Sequence, residues 1–246
     1  MKDLLHLANG ATRRLALMVA RSLPLPVATD LIEKLSEEMI TEVSVGEQAL
    51  FFYTPTSLLR ARAAATLSKE ADMIRWIDAF EGNSVFWDVG ANVGTYTLYA
   101  SVKRGASVLA FEPSSSNYHV LTKNIVINSL RGRATAYCLA FADATVLAAI
   151  NLGSAELGSA LNQFGEVGEK SPYCLGHGGA AWHGMVGFTI DDFVEQFNPP
   201  FPSYLKIDVD GLEPAILAGA LKTLGDSRLH SVMVELSVVQ DRKSVV

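Results

Sequence analysis

Residues 85–99 read VFWDVGANVGTYTLY. An apolar run ends in an acid, two glycines follow four apart, and a small polar pair opens the next segment. A short apolar run bounded by turn residues predicts a buried strand, and this one gives way to a helix from about Thr95. The turn between them needs residues without Cβ, which reach dihedrals closed to other residues and let a ligand come close to the backbone. The helix beyond it is expected to offer free N–H donors.

Outward from this stretch the same alternation continues. SVLAFEP (107–113) leads to a helix over 118–127, and ATAYCLAF (134–141) predicts a third strand. SYLKIDVDG (203–211) is a fourth, EPAILAGALKTLG a helix, and HSVMVEL (230–236) a fifth. Strands alternating with helices predict an α/β fold with a Rossmann-like, doubly wound, mostly parallel sheet. Upstream, ITEVSVGEQALFFY (40–53) predicts a hairpin about Gly46-Glu47, and helical periodicity follows Pro55 through Phe80. We expect residues 1–80 to form N-terminal helices and a hairpin capping the core, and 81–246 to form a cofactor-binding domain. Residues 142–188 are Gly-rich, with GSAELGSALNQFG and LGHGGAAWHGMVG, and read as a long loop that shapes the substrate side.

With 246 residues, 49% of them apolar, the chain can bury the core of one large domain. A net charge of −6 argues against a nucleic-acid partner, which needs clustered Lys and Arg, and favours a small-molecule or glycan ligand. Cys138 and Cys174 lie far apart and suggest neither a disulfide framework nor a thiolate zinc site, in keeping with a cytoplasmic protein. In ATRRLALMVARSLPLP (11–26), six apolar residues separate Arg14 from Arg21, short of the roughly 7–15 of a signal peptide or the roughly 20 of a membrane span. The segment reads as an amphipathic helix that packs on the main domain or rests on a membrane surface.

The glycine loop's ligand is narrowed by what is missing. A phosphate-binding P-loop requires Lys after its last glycine, but Gly94 is followed by Thr95 and Tyr96; the dinucleotide pattern GxGxxG fails because position 92 is Asn and position 95 Thr. Glu112, at the tip of the second strand, is placed to accept both hydroxyl hydrogens of a ribose. Asp88 adds negative charge beside the loop, unfavourable for a pyrophosphate and suited to an ammonium or sulfonium group, as in S-adenosylmethionine. The alternative for Asp88 is a carboxylate that caps the loop's own N–H groups.

These stretches together, FWDVGANVGTYTLYA, AFEPSSSNYHVLTKNIVIN, TIDDFV, YLKIDVDGLEPAILAGA and MVEL, resemble the FkbM-type methyltransferases over roughly residues 66–236. The resemblance implies a class I enzyme dependent on S-adenosylmethionine, with methyl transfer to a hydroxyl of a sugar, lipid-linked glycan or secondary metabolite. It also implies donor contacts at Asp88, Gly90, Asn92, Gly94, Thr95 and Glu112, with Asn117 and, at the adenine amino group, Asp143. Asn124 and Asn128 fit either a ligand contact or a helix end.

An alcohol acceptor must lose a proton, so a general base is expected at the end of the fourth strand. Period-two alternation puts Lys206, Asp208 and Asp210 on one side there. Asp208 is the candidate to accept the proton or seat the substrate, with Lys206 positioning it. Asp210 and Glu213 fit a capping box. His183, with His177 in the same loop, is the alternative base. Asp208, Asp210, Asp191 and Asp192 are oxygen donors of the kind magnesium takes, but nothing fixes their geometry and no metal is assigned.

Only SVVQDRKSVV (237–246) follows the fifth strand, so the sheet is expected to lack the last antiparallel strands usual in this class. Its edge would then be covered by N-terminal elements or by a second subunit of a homo-oligomer, or the sequence is a truncated product. A rival to the enzyme is an idle cofactor-binding module that serves partner interaction.

Overall fold

The computed structural model describes residues 18, 19, 21–68, 70–154, 156–160, 162–165 and 181–235. It divides into two compact units, 1–40 and 41–246. In the first, α1 (Leu25–Glu37) carries Pro in its opening turn, where a missing N–H costs nothing, and an exposed Lys34–Asp30 pair one turn apart. Leu25, Leu31, Ile32 and Leu35 on this helix are exposed. Half of the segment expected to be amphipathic, along with His177, Cys174 and the C-terminal tail, lies outside the described residues.

The hairpin β1 (Ile40–Val45) and β2 (Gln48–Tyr53) turns at Gly46 as expected, with φ of 70°. The helical stretch after Pro55 is two helices rather than one. Thr56 caps α2 (Ser57–Ala65), accepting the Leu59 N–H at 3.2 Å, and α3 (Ala71–Asp78) follows a turn. Both belong to the unit that starts at Thr41.

The central sheet contains β3 (Val85–Val89), β4 (Ser107–Phe111), β5 (Ala134–Tyr137), β10 (Tyr204–Ile207) and β11 (Ser231–Val234). Its order is β11-β10-β3-β4-β5 and every pairing is parallel. Parallel strands need crossovers, which cover both faces, and the side chains accordingly split between two cores. Phe86, Val108, Ala110 and Tyr204 face one core with Ile77 and Phe80 of the α3 region. Trp87, Leu109, Phe111, Leu205 and Ile207 face the other. Trp87, fully buried, donates its indole N–H to the Pro200 carbonyl at 2.9 Å, so the Asn198-Pro-Pro turn satisfies the one polar atom of that ring. Each such burial contributes about 1.5–3 kcal/mol.

From β3 the chain enters α4 (Thr95–Tyr99), which continues as one wider turn over Ala100–Arg104. Helix α5 (Ser115–Ile127) follows β4. The expected third strand breaks at Cys138-Leu139: β5 stays in the central sheet while β6 (Ala140–Phe141) joins another.

That second sheet corrects the reading of 142–188 as one loose loop. Strands β7 (Val146–Leu152), β8 (Gln163–Gly165) and β9 (Ala181–Phe188) join β6 in the order β6-β9-β7-β8. Ile150, Leu152, Phe164 and Met185 form its core. A Cβ on Gly187 would lie 2.5 Å from the Phe164 ring, so this glycine makes room for packing. The chain returns through α6 (Ile190–Phe197), capped by the Thr189 hydroxyl, and then β10, α7 (Glu213–Ala218) and α8 (Leu221–Leu224).

Candidate active site

The loop 90–94 lies beyond the carboxyl end of β3, next to those of β4 and β10. Gly90 and Ala91 donate their N–H groups to the Phe111 carbonyl, each at 3.0 Å, which anchors the turn on β4. Gly90 has φ of 77°, and a Cβ there would stand 1.8 Å from the Asp208 carbonyl oxygen. No side chain fits: the loop and the end of β10 are in backbone contact. Asn92 also takes a left-handed conformation, with φ of 50°.

On the β4 side, Glu112 is 4% exposed and receives three donors. The backbone N–H of Asn92 reaches Oε2 at 2.8 Å and that of Ser114 reaches Oε1 at 2.9 Å, while Asn117 Nδ2 lies 3.4 Å from Oε1. Burial pushes its carboxyl up to about 7, against the opposing pull of these donors and of Lys206. Asn117 is fully buried: it also donates to the Ser159 carbonyl and accepts the Gly158 N–H. Asn92 donates from Nδ2 to the same Ser159 carbonyl at 3.0 Å, and its Oδ1 is buried with no partner among the described residues.

On the β10 side, register pairs Lys206 with Asp88 across parallel strands. Lys206 Nζ lies 3.1 Å from Asp88 and 3.3 Å from Asp208, and donates to the carbonyl of Gly90 at 3.2 Å. Burial alone would depress this ammonium, but the Asp88 and Asp208 carboxylates outweigh it and hold its pKa above the usual lysine value. Thr97 donates its hydroxyl to the other Asp88 oxygen at 2.7 Å. Asp88, 0% exposed, thus lies behind the loop, and the negative charge read as available to a sulfonium is already answered by Lys206.

Two cavities open over this frame. The larger, of about 360 Å³, is lined by the loop with Thr95, Tyr96, Lys206 and Asp208 on one wall and Arg62, Thr66 and Glu70 on the other. A second, of about 190 Å³, takes in Glu112, Pro113, Asn162, Asp208 and Asp210. Arg62, Gly90, Asn92 and Asp208 border both. Tyr96 donates its hydroxyl to Glu70 at 2.6 Å; burial and that carboxylate push the phenol well above its ordinary range, so it stays protonated.

The structure therefore gathers Gly90, Asn92, Thr95, Glu112, Lys206 and Asp208 about one space. Gly94 supports the loop from behind, where a Cβ would strike Leu121 at 2.5 Å. Other expected residues fall elsewhere. Asp143 is exposed in the turn after β6 and borders neither cavity. His183, on β9, borders neither; its Nε2 lies 3.2 Å from the Pro113 carbonyl.

The alternation that put Asp210 beside Lys206 ends with β10 at Ile207; Asp210 follows in a left-handed conformation, with φ of 60°, and borders only the second cavity. The capping box does not form: no side chain caps α7, and Glu213 instead receives the N–H groups of Val209 and Gly211. Asp191 accepts the Lys222 and Thr223 N–H groups, which commits it to the start of α8. Among the described residues no group of three or more His, Cys, Asp or Glu is arranged to hold a metal ion.

Asn128 meets the helix-end expectation, closing α5 as its C-cap with Nδ2 2.8 Å from the Asn124 carbonyl; Asn124 lies inside the helix, and neither borders the two cavities. Asn124 accepts the Tyr53 N–H at 2.7 Å and donates to the Val93 carbonyl at 2.8 Å; Asn128 bonds both the N–H and the carbonyl of Phe51. They fasten the free edge of β2. Sequence reading missed Arg62, Glu70 and Thr66, which come from helices far from the loop in sequence. Tyr96, two residues beyond Gly94, was within its reach.

A family model described as the methyltransferase FkbM domain matches residues 88–244. The chain belongs to the FkbM methyltransferase family. Methyltransferases of this family take their methyl group from S-adenosylmethionine. The hexuronic acid methyltransferase AglP of Haloferax volcanii is 31% identical to this FkbM protein over 212 residues, which is 84% of this chain and 77% of AglP. Similarity to solved structures is looser. A precorrin-6y C5,15-methyltransferase of Geobacter metallireducens aligns over 67% of this chain and 60% of its own, at 13% identity and a TM-score of 0.38. TYW2 of M. jannaschii in complex with AdoMet aligns over 40% and 42%, at 20% identity and a TM-score of 0.31. The chain thus spans less than two thirds of these two solved relatives.

Proposed function

We propose that this FkbM protein methylates a hydroxyl of a sugar acid, free or as part of a glycan, using S-adenosylmethionine. The observation that supports it most is that Glu112 and the Gly90–Asn92 turn share one cleft with Asp208. What supports the donor here is the Oδ1 of Asn92, buried beside the cavities with no partner among the described residues and so open to a hydrogen-bond donor of the ligand. Glu112 and Asn92 would hold the ribose, with Gly90 and Thr95 beside it. The bound donor supplies a methyl on a sulfonium, already activated toward an oxygen nucleophile.

The chain's own task is then to align and deprotonate the acceptor while excluding water. Asp208, 22% exposed on the cleft, accepts the acceptor's hydroxyl proton. Lys206 holds that carboxylate in place and does not need to titrate. His183 is the weaker candidate, since its ring is turned to the Pro113 carbonyl. The sugar-acid assignment follows AglP's name. Among the described residues no helix is long and apolar enough to cross a membrane; we place the reaction in the cytoplasm, where the donor is made.

The test is calorimetry with S-adenosylhomocysteine, followed by mass spectrometry of hexuronic acids and matching hexoses incubated with S-adenosylmethionine. We expect binding and a gain of one methyl on the acid. Asp208→Asn is expected to bind S-adenosylhomocysteine within about threefold of wild type but to turn over at least ~100-fold more slowly. Binding without turnover on any sugar would favour the idle-module reading.

A further inference from the structure

Of the two cations bordering the cavities, Lys206 is matched by Asp88 and Asp208. Arg62 is not: among the described residues its guanidinium has no hydrogen-bond or ion-pair partner, and its Nε is buried. It is nevertheless held in place. Gly158, with φ of 84°, packs against it, a Cβ there standing 3.4 Å from both Cδ and Nε of Arg62, and the Asn117 amide pins the Gly158 N–H. A positioned arginine that borders both cavities, with its Nε out of solvent, suits a planar anion, because the guanidinium's fork of donors matches a carboxylate two bonds at a time. Glu70 and Asp208 on the same walls make a doubly charged phosphate a poorer guest than a singly charged carboxylate.

We infer that Arg62 is a carboxylate receptor of this site, and that it fixes the orientation of one of the two reactants. The inference rests on the function proposed above, in which both reactants carry such a group: the amino-acid end of the methyl donor and the acid of the sugar.

Arg62→Gln separates the two sources. Binding of S-adenosylhomocysteine, which has the carboxylate, is compared with that of 5′-methylthioadenosine, which lacks it. If Arg62 grips the donor, the variant binds the first roughly ten- to a hundredfold more weakly and the second unchanged. If it grips the acceptor, both nucleosides bind as before, and the preference in kcat/KM for a hexuronic acid over its neutral hexose falls by a similar factor. The inference is overturned if both nucleosides weaken alike, or if neither the binding ratio nor the acceptor preference moves. Should Arg62→Gln unfold at a lower temperature than wild type, Arg62→Lys, which keeps charge without the fork, carries the same readouts with a smaller loss. A wild-type protein that binds neither nucleoside would instead remove the proposed function.

Discussion

The glycine loop runs between two buried carboxylates. On the β10 side Asp88 faces an ammonium across one strand pairing and takes a hydroxyl on its other oxygen. On the β4 side Glu112 meets amide N–H groups, two from the backbone and one from Asn117, with no cation in contact among the described residues. Dipoles offset less of the desolvation cost than a full opposite charge does, so the Glu112 carboxyl titrates at about 7. The difference separates two duties. Asp88 is fastened between Lys206 and Thr97, while Glu112 is bonded to amide dipoles, which in the function proposed above would be exchanged for a ribose.

Breaking the fastened side should cost most. Lys206→Met leaves Asp88 charged and fully enclosed, and chemical denaturation is expected to show a loss of about 3–5 kcal/mol. Adding Asp88→Leu removes the stranded charge and should restore most of it. A cost near that of a surface substitution would erase the distinction between the two acids.

The exchangeable side should show in pH dependence. Glu112 titrates at about 7 in the folded chain and near 4.5 when unfolded, so the folded state binds more protons in between. Its stabilising contribution is complete below pH 4.5 and is lost as pH rises through 7, up to about 3 kcal/mol. Glu112→Gln should flatten that part of the stability profile. Ribose hydroxyls donate to the ionised form, so wild-type affinity for S-adenosylhomocysteine should climb with pH up to about 7 and then level off.

A smaller change is expected for affinity itself: Glu112→Gln should weaken S-adenosylhomocysteine by roughly tenfold in calorimetry at pH 8. Smallest is Asn117→Ala, which removes one donor to Glu112 and the tether of Gly158, with about a threefold loss of affinity. If it matched Glu112→Gln, Asn117 would itself be a ligand contact.

The central sheet was legible because its strands read as short, mostly apolar runs, and β3, β4 and β10 are each followed by a turn and a helix. The second sheet was not. Strand β7 exposes Val146 and Leu147 side by side and buries Ala149 and Ile150 side by side, so no alternation marks it, and the glycines of β9 imitate a loop. Gly187 is there to admit the Phe164 ring, a long-range reason that no local pattern carries. In the site, the glycines and Glu112 were legible because backbone constraint is local. The engagement of Asp88 by Lys206 depends on strand register, and the place of Arg62 depends on how α2 packs over the loop.

Along α5, Asn117, Asn124 and Asn128 fall seven and four residues apart, which sets them on one side of the helix. Their amides reach the acid at the end of β4, the glycine loop at Val93 and the rim of the hairpin. The helix therefore works as a ruler, graduated in whole turns, that spaces three otherwise separate pieces of chain. A single residue inserted between Asn117 and Asn124 would swing the marks by about 100° and unhitch two of the three at once. Anyone building a chimera from this protein would have to transplant ruler and hairpin together.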